Sequence, residues 1–127
     1  MSPQELRKTL TETELELMQI IWQLGEANVK QVMATLPPER DLAYTSVSTI
    51  LRILEKKGVL ATRKEGRGHV YLPKLEKTDF ESASVERVVD QVFLGDRLSM
   101  IRTLVDGNQL SDDEAKELKA MIEETLS

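Results

Sequence analysis

Between Thr45 and Lys56, five side chains able to recognise a polyanion recur at spacings of three and four: Thr45, Ser48, Thr49, Arg52 and Lys56. On a helix this spacing places them on one face, short hydroxyls first and long cations after. Small hydroxyls near a helix start let the backbone come close and donate to phosphates or base edges. The free N–H groups there attract phosphate, and an arginine can fork onto O6 and N7 of guanine. An ordinary solvated helix face uses the same residue types, so this face alone leaves both readings open. A second cluster follows at once. Arg63, Lys64, Arg67 and His69 surround the turn Glu65-Gly66-Arg67-Gly68. A basic hairpin can lay cations along a phosphate backbone or into a minor groove; lysine and arginine also blunt exposed strand edges. A basic hairpin directly after a hydroxyl-and-arginine helix is more specific than either feature alone.

Other chemistry is thin. His69 is the single histidine, which argues against a multi-histidine metal site, and it reads equally as an ordinary strand residue. The absence of cysteine excludes disulfides, thiolate metal sites and thiol catalysis. Asp112-Asp113-Glu114 could attract a divalent cation, but its place at the start of a capped helix accounts for it, because carboxylates favour the positive end of the helix dipole. Neither a nucleophile elbow, a phosphate-binding loop nor a zinc-protease motif occurs. No enzymatic activity and no cofactor are expected.

The elements that must hold these residues are legible from periodicity. Thr11 and Glu14 form a capping box flanked by Leu10 and Leu15, and Leu15, Met18, Ile21 and Trp22 continue a helical stripe that Gly25 closes. A second helix runs from Asn28, with Val29, Val32, Met33 and Leu36 inward, and ends at Pro37-Pro38. The third spans about Thr45 to Lys57, with Val47, Ile50, Leu51 and Leu54 inward and Gly58 as its stop. The period then changes. Val59–Lys64 and His69–Leu72 are strand candidates joined by the glycine-bearing turn. Thr78 and Glu81 suggest a capping box for a helix to about Leu94. Further helices follow from Asp96 and from the box Ser111/Glu114. The order helix, helix, helix, hairpin, then helices predicts a mainly α fold with a small β-hairpin, a winged helix-turn-helix followed by a helical region.

The 127 residues carry a net charge of −5, which evenly spread would disfavour a nucleic-acid partner. It is not evenly spread. Residues 1–74 are +2, residues 75–127 are −7, and 42–74 alone are +5. A basic block followed by an acidic half suggests two tasks in one chain. No apolar run is long enough to span a membrane. Met1 to Leu10 lacks an apolar signal core, so a cytoplasmic protein is expected.

Several stretches resemble one known family. Leu10-Thr11-Glu12-Thr13-Glu14-Leu15-Glu16-Leu17-Met18-Gln19-Ile20-Ile21-Trp22 is similar to the opening of the penicillinase-repressor family, the BlaI/MecI/CopY group. Asp41-Leu42-Ala43-Tyr44-Thr45-Ser46-Val47-Ser48-Thr49-Ile50-Leu51, followed by Leu54-Glu55-Lys56-Lys57-Gly58, resembles its recognition helix. Gly66-Arg67-Gly68-His69-Val70-Tyr71-Leu72-Pro73 resembles its wing, and Leu110–Leu118 its terminal helix. The resemblance implies a homodimeric repressor on palindromic double-stranded operator DNA, with a winged-helix domain over 1–77 and a dimerisation domain over 78–127. Tyr44, Thr45, Ser46, Ser48, Thr49 and Arg52 are then expected in the groove, with Lys56, Arg63, Lys64, Arg67 and His69 on phosphates. Val85, Val88, Val92, Phe93, Leu98, Ile101, Leu104, Leu118, Ile122 and Leu126 are expected to hold the dimer. The resemblance also implies induction by a sensor protease. The family's Asn-Phe cleavage bond aligns here with Thr103-Leu104, which puts that signal in question. The lack of cysteine rules out the copper-type switch. The rival reading is a helical protein-interaction module with an incidental basic hairpin.

Overall fold

The computed structural model describes residues 10–127. The reading of Met1 to Leu10 as free of a signal therefore falls, but for Leu10, outside the described residues, as do the first nine residues of the expected 1–77 domain. The element order is α1 (Glu12–Leu24), α2 (Val29–Thr35), α3 (Tyr44–Lys56), β1 (Leu60–Glu65), β2 (Gly68–Pro73), α4 (Lys77–Gln91), α5 (Arg97–Asp106) and α6 (Asp112–Leu126). The strands form one antiparallel hairpin, in register from Leu60 opposite Pro73 to Glu65 opposite Gly68. This is the mainly α, winged-helix architecture that the sequence predicts.

The helices start where their capping chemistry places them. Thr11 caps α1 and Asn28 caps α2. Each exchanges side-chain and backbone hydrogen bonds with the residue three positions on, Glu14 and Gln31 respectively. Leu10 and Leu15 both pack on the core, as the staple predicts. Leu17, Met18 and Ile21 of α1, Val32 of α2, and Val47, Leu51 and Leu54 of α3 are wholly buried, together with Val59. Burying each such side chain contributes about 1.5–3 kcal/mol. Ile50 only borders this core. Ala27 pairs with Tyr71 through two backbone hydrogen bonds of 3.0 and 2.8 Å, so the turn between α1 and α2 is stitched to the inner half of β2. Beyond the hairpin, Leu75 is buried and its carbonyl accepts the Trp22 indole N–H at 2.9 Å. Phe80 stacks tilted against Trp22, with ring centroids 5.4 Å apart.

The contacts divide the chain into two units, the first running through Ser84 and the second from Val85 to Ser127. Two local expectations in α4 need correction. Thr78 is not its cap. The helix already includes Lys77, and the Phe80 N–H donates to the Glu76 carbonyl at 3.0 Å, so Thr78 lies in the first turn. The helix also stops at Gln91 rather than Leu94, because Leu94 adopts φ +52° and the Gly95 N–H turns back to the Val89 carbonyl. The caps of α5 and α6 stand as read: Asp96 receives the Ser99 N–H, and Ser111 and Glu114 form a capping box. In the second unit only Val89 is buried.

Glu14 joins two of these structures. Its carboxylate accepts the Thr11 N–H at 2.7 Å and holds the Lys57 ammonium, just past the end of α3, at 2.8 and 2.9 Å. Burial pushes the Glu14 carboxyl up, but the hydrogen bonds from Lys57 and Thr11 and the lysine charge outweigh it, leaving the group below its usual value. A depressed folded value means that this stabilisation is complete above the ordinary carboxylate range and lost as pH falls through the folded value. Glu14→Gln keeps a capping side chain and removes the ion pair. It should cost about 1–3 kcal/mol at neutral pH. Urea unfolding followed by Trp22 fluorescence should show this deficit shrinking in acid, where Glu14 itself protonates. An equal deficit at neutral and acid pH would assign the loss to packing.

Candidate nucleic-acid interface

The face of α3 opposite Val47, Leu51 and Leu54 is set by those buried side chains. Tyr44, Thr45, Ser46, Thr49, Arg52 and Lys56 are exposed, and Ser48 is half-buried at the rim. At the helix start Ala43 supplies no side-chain acceptor, and the first α3 hydrogen bond runs from the Val47 N–H to the Ala43 carbonyl. The first-turn N–H groups therefore point outward for a ligand or solvent. At the other end the chain leaves α3 through Gly58 at φ +81°, with the Val59 N–H bonded back to the Leu54 carbonyl at 3.0 Å. That left-handed residue, which glycine adopts without steric cost, directs the chain at once into β1.

The hairpin closes through a two-residue loop, Gly66-Arg67, with Gly66 at φ +61° in the first loop position, where tight hairpins favour glycine. Register sorts its side chains. Lys64 lies opposite His69, and Thr62 opposite Tyr71, on one face. Arg63 lies opposite Val70 on the other. His69, Arg67 and Tyr71 of the wing line a groove of about 540 Å³ with Tyr44, Ser48 and Arg52 of α3 and with Asn28, Val29 and Lys30 at the start of α2. Tyr71 is buried at the base, where burial first and the neighbouring Glu55 second raise its phenol above the ordinary value, against the opposing charge of Arg52. The phenol therefore stays neutral at physiological pH. Glu55 also accepts a short hydrogen bond from the Thr62 hydroxyl, which joins α3 to β1 beneath this groove.

Cations on this surface divide into two kinds. Among the described residues, Lys30, Arg52, Lys56, Lys64 and Arg67 make no ion pair within the chain. Arg63 differs. Its guanidinium meets the Glu26 carboxylate at 2.7 Å and that of Glu65 at 3.0 Å. Hydrogen bonds from Arg63 depress the Glu26 carboxyl, and those to Glu26 and Glu65 raise the Arg63 guanidinium further above its already high value. A short stretch with free cations and free helix N–H groups on one concave face is suited to phosphate and base edges, and its lining suggests no covalent chemistry.

Residues 10–124 match the penicillinase repressor family. The chain belongs to this family. It is a DNA-binding transcriptional repressor, not an enzyme. The repressor is 30% identical over 115 residues to the penicillinase repressor of Bacillus licheniformis, spanning 91% of this chain and 90% of that one. It is 25% identical over 113 residues to the methicillin resistance regulatory protein MecI of Mammaliicoccus sciuri, spanning 89% and 92%. Among solved structures, the DNA-binding domain of the repressor BlaI superposes with a TM-score of 0.51 at 34% identity, over 56% of this chain and 87% of that one. The alternative of a protein-interaction module without DNA binding gives way to the family assignment.

In this repressor the structure gathers Tyr44, Ser48, Arg52, Arg67 and His69 around the one groove, while Thr45, Ser46, Thr49 and Lys56 lie exposed on the same helix and Lys64 on the same wing face. Arg63 stands apart from them, on the other wing face and engaged by two carboxylates. Sequence reading missed Asn28 and Lys30. Their place at the groove depends on how α2 packs on α3, and the only local sign is a lysine two positions after a capping asparagine. No helix among the described residues is long and apolar enough to cross a membrane.

Proposed function

We propose that the repressor binds a palindromic operator in the cytoplasm as a homodimer, with α3 in the major groove and the wing on the flanking backbone. Tyr44, Thr45, Ser46, Ser48, Thr49 and Arg52 read or border base edges; Lys56, Lys64, Arg67 and His69 contact phosphates. The observation that carries this is the convergence of unpaired cations from α3 and the wing on one groove. The acidic second unit supplies the dimer contact. Within it Val85, Val88, Val92, Leu98, Ile101, Leu104, Ile122 and Leu126 are exposed, from 38% at Ile101 to 80% at Leu126. Phe93 and Leu118 are half-buried, and only Val89 is fully covered. So much exposed apolar surface in one short unit calls for a partner, and a second copy related by a twofold axis also matches two operator half-sites.

Induction by cleavage at Thr103-Leu104 would require α5 to unwind there. The Thr103 carbonyl accepts the Gly107 N–H at 3.1 Å, and its hydroxyl donates to the Ser99 carbonyl at 2.8 Å. Protease sites bind extended backbone, so this bond is guarded in the intact helix.

Three measurements test the reading. Duplexes selected from a random pool should converge on half-sites one helical turn apart, about 34–36 Å, or a multiple of that. On the selected operator Arg52→Ala should cost about 1–3 kcal/mol, and much less on unselected DNA. Equal losses on both would place Arg52 on the backbone. The joint substitution Leu98→Arg with Ile122→Arg should shift the full chain from dimer to monomer in sedimentation and weaken operator binding roughly 10²-fold or more, while Trp22 fluorescence stays native. A double variant that sediments as a dimer would move the interface elsewhere.

A further inference from the structure

We propose that Arg63 is a positioning residue, which holds the wing tip against the turn between α1 and α2 through Glu26 so that Arg67 and His69 meet the DNA backbone, and does not itself bind phosphate. The inference rests on the DNA-binding reading above and concerns how the wing is aimed.

Three observations carry it. First, Arg63 pairs in register with Val70, while Lys64 pairs with His69, so Arg63 lies on the strand face opposite His69; its partner Glu65 borders the groove that His69 lines, but Arg63 itself does not. Second, its guanidinium is already engaged by carboxylates on either side: Glu26 at 2.7 Å with a second contact at 3.4 Å, and Glu65 at 3.0 Å. A phosphate would have to displace both. Third, among the described residues the outer hairpin has few ties to the rest of the chain beyond its own strand pairing. Tyr71, pinned by Ala27, is the last residue of the wing bonded to the body through its backbone, and residues 63–69 are all exposed. A hollow of about 240 Å³ separates the turn residues Glu26 and Asn28 from Glu65, Gly68 and His69. Among the described residues, the hydrogen bonds that tie residues 63–69 to anything outside the hairpin are those from Arg63 to Glu26. A forked contact from a planar guanidinium defines an orientation as well as a distance. An exposed pair of this kind adds little to global stability, so its effect is confined to the wing.

The test uses the full chain and a mixed-sequence DNA duplex about three helical turns long at low salt. Arg67→Ala should weaken binding by about 3- to 10-fold and make the salt slope shallower by about 1. Arg63→Ala should do the same, with an unchanged Tm. The double variant should be no worse than either single one, because Arg63 acts through the Arg67 contact. The charge-neutral exchange Glu26→Arg with Arg63→Glu should return affinity to within about twofold of wild type, since it rebuilds the tether with reversed ends. The chain lacks cysteine, so a spin label on Lys64→Cys reports the wing alone and should become more mobile when Arg63→Ala is added, with no DNA present. A double variant whose slope falls by about 2, or an exchanged pair that stays weak, would make Arg63 a phosphate contact and overturn the proposal. So would a label whose mobility does not change. Wild-type protein that fails to bind the duplex would instead overturn the DNA-binding reading, which the label measurement separates from the tether itself.

Discussion

The rotation of α3 about its own axis is the constraint on which the interface depends. Val47, Leu51 and Leu54 are wholly buried against the first unit's core. A helix can present only one face inward, so burying these three turns Thr45, Thr49, Arg52 and Lys56 outward together. The ends of α3 are held by separate means. Lys57, just beyond its C-terminus, is drawn to Glu14, which also closes the capping box of α1. One carboxylate thus completes the start of the first helix and anchors the end of the third. The helix proposed to carry recognition chemistry is positioned by apolar contacts and one ion pair on its other side.

The wing follows a different logic. Its inner half is part of the core: Val70 and Tyr71 are buried, and Ala27 pairs with Tyr71. Its outer half, residues 63–69, is exposed, and Arg63 ties it by charge to Glu26. The alternation of a strand separates the cations of that outer half into those that share the groove with α3 and the one engaged by Glu26 and Glu65. Residues counted together as a basic cluster therefore have different electrostatic surroundings. Free cations can exchange counterions for phosphate, whereas a guanidinium between two carboxylates has already made that exchange within the protein.

The second unit shows why the acidic half is not simply a smaller domain. Its helices are well capped, by Asp96 and by the Ser111/Glu114 box, yet almost no side chain in it is fully buried. Local capping stabilises helix ends but cannot cover apolar stripes, and three short helices enclose too little volume to do so. This exposed apolar surface is what supports the proposal that the unit is completed by association.

Much of this was legible in the sequence because it is local. The capping boxes at Thr11 and Ser111, the stop at Gly58, the hairpin around Gly66-Arg67 and the inward stripe of α3 all depend on residues a few positions apart, and so does the outward face with Thr45, Thr49 and Arg52. Similarity along most of the chain carried the family. The start of α4 was misread because Thr78 and Glu81 have capping-box spacing while the helix begins a turn that packing on Trp22 has already organised through Phe80. The groove, with Asn28 and Lys30 beside Arg52 and His69, was decided only by tertiary structure, as was the partnership of Glu14 with Lys57 across 43 positions. So was the engagement of Arg63 by Glu26, 37 positions earlier. Residue type and spacing determine which side chains share a face of one element; which faces meet, and therefore which charges are neutralised and which remain free, is set by how the elements pack.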